Sequence, residues 1–101
     1  MNTVITKGEF NGDKKTYLTM NGLHFFWFEF IEKGDHIDIY CNKHPSLNGQ
    51  DSSATKIHLY SSGKICFVSG KEPRSQREAQ KRAKEWAEYI VEYRKTGKAQ
   101  S

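Results

Sequence analysis

Ala79, Ala83, Trp86, Ile90 and Tyr93 recur at steps of four and three, which on a helix of 3.6 residues per turn places them on one stripe. The stripe predicts a helix lying on a sheet. Ser75-Gln-Arg-Glu78 fits a capping box at its start, where the Ser hydroxyl and Glu carboxylate satisfy amides otherwise left orphaned in the first turn. Pro73 marks the boundary before it, and Gly97 fits a C-cap about six turns later.

Upstream, the period shortens to two. His36 to Cys41 alternates with Ile37, Ile39 and Cys41 on one face, which puts Cys41 in the core. Lys33-Gly34-Asp35 supplies the turn before it. Leu23 to Ile31 carries large apolar groups at both parities and predicts a central strand covered on both faces; its rings are read as core rather than as stacking platforms. Asn21-Gly22 is a two-residue hairpin signal joining this run to the weak alternation of Lys15 to Met20. Lys56 to Tyr60 and Lys64 to Val68 predict a second hairpin across Ser61-Ser62-Gly63. Ile57, Leu59, Ile65 and Phe67 would then face the core, with His58, Tyr60, Lys64 and Cys66 opposite. The run from Asn42 to Thr55 is rich in turn formers and admits two readings, a binding loop or a plain connection.

The pattern therefore predicts an α+β domain over residues 15–97, an antiparallel meander of four to five strands with one long C-terminal helix packed on it. Residues 1–14 are polar with Gly8 and Gly12 and are expected to be loosely ordered or edge-lying, with regular structure from Lys15; residues 98–101 are expected to form a disordered tail.

Composition narrows the class. At 101 residues with 13% aromatics and 28% charged residues, the chain reads as one folded domain with a core built on rings. The longest apolar run, Phe25 to Phe28, is far short of the roughly 20 residues a membrane span needs, so no membrane role and a cytoplasmic location are expected. Cys41 and Cys66 are then expected as reduced thiols. A net charge of +4 allows an acidic partner. No Gly-rich phosphate loop, paired-carboxylate motif or Ser-His-Asp arrangement is legible, which disfavours kinase, hydrolase and nucleotide-binding readings and implies no cofactor.

Three constellations carry candidate chemistry. Cys66, after a tight turn and beside His58, Lys64 and Lys71, is a candidate nucleophile, which would require its thiolate to be stabilised by a cation or base. Cys41-x-x-His44 with His58 and Cys66 has the ligand types zinc prefers but lacks two tight ligand pairs, so no metal is assigned. Lys71, Arg74, Arg77, Lys81, Arg82 and Lys84 cluster around the helix start, where positive charge opposes the macrodipole unless an anion is bound; they are candidate phosphate contacts, or a solvated helix face.

His58-Leu-Tyr60-Ser-Ser-Gly63-Lys-Ile-Cys66 and Trp86-Ala-Glu-Tyr-Ile-Val-Glu-Tyr-Arg-Lys-Thr96-Gly97 resemble matching segments of bacterial ubiquitin-conjugating (E2-like) domains. There, a His-x-Tyr-x-x-Gly-x-x-Cys stretch carries the thioester cysteine, and a helix with a Trp and a terminal Thr-Gly follows. The resemblance implies a four-stranded antiparallel meander with a packed helix. It also implies Cys66 as acceptor of the C-terminus of a ubiquitin-like protein delivered by an activating enzyme, with His58 shaping the site. The helix that precedes the first strand in the family is absent, as is its proline pair, for which this chain has only His44-Pro45, and these departures leave open a short relative that binds partners without chemistry. Separately, Gly70-Lys71-Glu-Pro-Arg74-Ser75-Gln-Arg77-Glu-Ala79 is similar to the last helix of double-stranded RNA-binding domains, which implies nucleic acid as the alternative partner.

Overall fold

The computed structural model describes residues 6–67 and 70–99. Its elements are strands β1 (Glu9–Phe10), β2 (Thr16–Leu18), β3 (Phe25–Glu32) and β4 (Ile37–Lys43), a short helix α1 (Ala54–Ile57) and a long helix α2 (Gln76–Thr96). The strands form one antiparallel sheet in the order β1-β2-β3-β4, so the domain is an α+β meander with a C-terminal helix. Regular structure begins at Glu9 rather than Lys15, because Glu9 and Phe10 pair with Leu18 and Tyr17 as an edge strand. The remainder of the N-terminal segment at residues 1–5, the strand end expected at Val68, and residues 100–101 of the tail lie outside the described residues.

Helix α2 begins and ends as its sequence requires. Ser75 accepts a hydrogen bond from the Glu78 amide at 3.1 Å, while the Glu78 carboxylate reaches back to the amide of Arg74. At the other end Gly97 adopts φ 70° and donates to the Tyr93 carbonyl, a left-handed cap that glycine accepts without strain. The stripe Ala79, Ala83, Trp86, Ile90 and Tyr93 is buried throughout. Its alanines let the helix lie close to the sheet, and Trp86 meets the rings of Phe26 and Phe28 edge-on at 5.9 and 6.1 Å.

On β3 the alternation is stricter than its composition suggests. Phe26 and Phe28 are buried against α2, whereas Phe25 and Trp27 point away and are 50% and 55% exposed. The expectation that both faces are covered is corrected: a single helical layer packs on one side of the sheet, and period-two geometry sends every other ring to the opposite side. The β2–β3 connection is also wider than a two-residue turn. It runs from Thr19 to His24, because Asn21 spends its side-chain oxygen on the Thr19 hydroxyl and the Leu23 amide and so holds a longer loop closed.

The second hairpin survives only around its turn. Leu59 and Ile65 make an isolated bridge, and the Tyr60 amide donates to Lys64 while Gly63 donates to Tyr60. The predicted strand at Lys56 and Ile57 is instead the end of α1, closed by His58 at φ 55°. The cause is long-range: Trp86 donates to the Ile57 carbonyl at 2.7 Å and the Tyr89 hydroxyl donates to the Lys56 carbonyl, so α2 takes the acceptors a strand partner would have used. The loop after β4 is fastened in the same way. Tyr93 donates to the Asp51 carbonyl at 2.6 Å and Arg94 to that of Ser46 at 2.7 Å, with Leu47 buried beneath.

Candidate functional site

Cys66 lies where the turn segment leaves β4 and crosses toward α2. Two backbone bonds position it, Ile65 donating to the Ile39 carbonyl and Cys66 itself donating to the His58 carbonyl, both at 2.8 Å. Its side chain is partly exposed, whereas Cys41 is 6% exposed in the core. Burial pushes the Cys41 thiol up to about 12, so it stays protonated and inert near neutral pH. The face assignments made from alternation hold for both thiols.

The polar partner of the Cys66 sulfur is Tyr60. Its hydroxyl oxygen sits 3.0 Å from Sγ, and this hydrogen bond is the main reason the phenol titrates above its ordinary value. A phenol that remains protonated is able to donate to a thiolate. His58, the side chain expected to support the thiol, joins Cys66 through its backbone carbonyl, and its ring packs against Tyr89 at 6.0 Å. Tyr60 was legible on the right face; only the turn geometry makes it the sulfur's neighbour. Lys64 turns elsewhere, to Asp38 at 3.5 Å.

A groove of about 420 Å³ opens beside the sulfur, lined by Cys66, His58, Lys71, Arg82, Glu85 and Tyr89 among others. Arg82 stands over the Phe67 ring at 5.6 Å and donates to the Lys71 carbonyl at 3.0 Å, which makes one wall firm. The groove lining combines apolar groups, Ile65, Phe67 and Trp86 among them, with two cations, one carboxylate and the thiol.

The zinc-type set is not brought together. Cys41 donates to the Lys43 carbonyl at 3.3 Å inside the core, and His44 pairs with the Pro45 carbonyl at 2.7 Å against Trp86. Among the described residues no group of three or more His, Cys, Asp or Glu side chains gathers for a metal. The six basic residues of the helix start are likewise divided. Lys71 and Arg82 line the Cys66 groove, Arg77, Lys81 and Lys84 line another groove with Lys14, and Arg74 lies toward Asp35. Among the described residues no helix is long and apolar enough to cross a membrane.

Comparison with known proteins finds no matching family model, no matching curated protein and no matching solved structure.

Proposed function

We propose that this chain is an E2-like carrier in which Cys66 holds the C-terminus of a ubiquitin-like protein as a thioester. The observation that carries the reading is the separation of the two thiols: Cys66 is partly exposed and lines a groove, with a hydroxyl 3.0 Å from its sulfur, while Cys41 is buried and protonated. The meander with its packed helix and the His58-to-Cys66 spacing support the same reading.

In the proposed step the Cys66 thiol loses its proton to solvent, and the thiolate attacks the carbonyl carbon of a modifier thioester on a donor cysteine. The donor carbon–sulfur bond breaks, the donor thiolate leaves and takes up a proton, and a new thioester forms on Cys66. No oxidant, metal or cofactor enters the balance. Tyr60 holds the sulfur before attack, and His58 shapes the groove beside it.

The test is transfer from a ubiquitin-like protein activated as the C-terminal thioester of a small thiol. A thiol-labile adduct is expected on the native chain and on Cys41→Ala, and none on Cys66→Ala. An adduct that persists in Cys66→Ala, or no adduct on the folded native chain, overturns the proposal.

A further inference from the structure

A second groove, of about 590 Å³, runs between the β1–β2 turn and the first half of α2, sharing Glu85 with the Cys66 groove. Arg77, Lys81 and Lys84 stand at helical steps of four and three and so share one side of α2. Lys14 faces them from the turn at φ 59°. That turn is held by Asp13, whose carboxylate accepts from the amides of Lys15 and Thr16 and from the Thr16 hydroxyl. Asp13 is thereby occupied with its own backbone.

The other acids nearby are also engaged. Glu88 accepts from the Tyr17 hydroxyl and the Met20 amide, and Glu78 accepts from the Arg74 amide. Among the described residues lining the groove the acids are Glu9 and Glu85, against four cations. Among the described residues, ion pairs are confined to His36, Lys64, Asp35 and Asp38, so none of the four cations is paired. Arg77 sits in the first turn of α2, where positive charge is unfavourable with the macrodipole unless an anion lies close.

We infer that this groove is a docking site for an acidic segment of a partner protein. From Arg77 to Lys84 the helix rises about 10 Å, the length of about three extended residues, so the site matches a short run of Asp and Glu. Two features favour a peptide over nucleic acid. Glu9 and Glu85 in the lining oppose a continuous phosphate backbone, while a peptide can set its own neutral or basic residues beside them. The groove also presents no free ring on which bases could stack, since Phe10 is engaged with Tyr17, Phe28 and Phe30 at 5.3 to 5.9 Å. The inference does not depend on Cys66.

The experiment is fluorescence anisotropy with the full chain and a labelled oligoglutamate peptide at low salt, beside single-stranded RNA and DNA oligonucleotides of equal charge. The peptide is expected to bind, and Arg77→Glu/Lys81→Glu to weaken it by about tenfold or more, with Arg77→Gln/Lys81→Gln giving a smaller loss. Lys33→Glu, which makes the same kind of charge reversal at the β3–β4 turn, is expected to leave binding within about twofold. Absence of peptide binding overturns the inference. So does equal weakening by Lys33→Glu, or tighter binding of an oligonucleotide through the same two residues.

Discussion

The indole N–H of Trp86 donates to the Ile57 carbonyl at 2.7 Å, a buried bond between residues 29 apart in sequence. It fixes α1 against α2 and so sets where the chain emerges at His58. Trp86→Phe keeps most of the ring packing but strands the carbonyl, at a cost of about 1–3 kcal/mol. Urea unfolding is expected to show a lower midpoint with unchanged slope; an unchanged midpoint would mean the bond contributes nothing net.

The two thiols are expected to react in sequence. With its thiol pushed up to about 12, Cys41 is ionised at pH 8 to only about one part in ten thousand, and it is buried as well. Iodoacetamide on the folded chain should label Cys66 first, read by peptide mass mapping, with both residues labelled alike in denaturant. Prior labelling of Cys41 would contradict the burial argument.

Removing the hydroxyl beside the sulfur separates its role from that of the ring. Tyr60 is 47% exposed, so Tyr60→Phe should leave stability within about 0.5 kcal/mol. The variant is expected to lower the rate of Cys66 alkylation at neutral pH severalfold, since the thiolate loses a donor. An equal or faster rate would show that the hydrogen bond restrains the sulfur instead.

His36 carries a pH dependence of fixed sign. It lies 2.7 Å from Asp35 and 3.2 Å from the buried Asp38, and the hydrogen bond to Asp35 is the main cause of its titrating above the ordinary 6.5. A histidine raised on folding stabilises fully below 6.5, and this contribution fades as pH rises through the raised value. The melting temperature of the native chain should therefore fall across that window relative to His36→Gln. Parallel curves for the two proteins would refute the linkage.

The two faces of β3 should differ sharply in what they contribute. Phe26→Ala opens a cavity under Trp86 and is expected to cost about 3–5 kcal/mol, while Trp27→Ser, on the uncovered face, should cost about 0.5 kcal/mol or less. Comparable losses in chemical denaturation would mean that Trp27 packs against something on that side.

Much of this arrangement was legible in short windows of residues. The Ser75 cap, the Ala79-to-Tyr93 stripe and the Gly97 stop depend on neighbours within a few positions, and so does the parity that separates Cys41 from Cys66. Tyr60 carried its signal too, since alternation put it on the face of Cys66, although the resemblance to E2-like domains implied His58 as the supporting group.

Other features depend on how layers meet. The alternation of Phe25 to Phe30 was present in the chain, but whether one or both sides of the sheet are covered depends on where α2 lies. Lys56 and Ile57 read as strand because their apolar pattern suits one, and they turn as helix because Trp86 and Tyr89 take their carbonyls from a distant part of the sequence. The basic residues around the helix start form one cluster in sequence and separate surfaces in space, because successive residues of a helix point about 100° apart. Periodicity and capping are short-range properties, so the chain alone settles the long helix α2, its caps and its inward stripe, and the parity of β4. Which groups share a groove depends on helix-to-sheet rotation and on hydrogen bonds closed across long loops, and only the folded arrangement decides it.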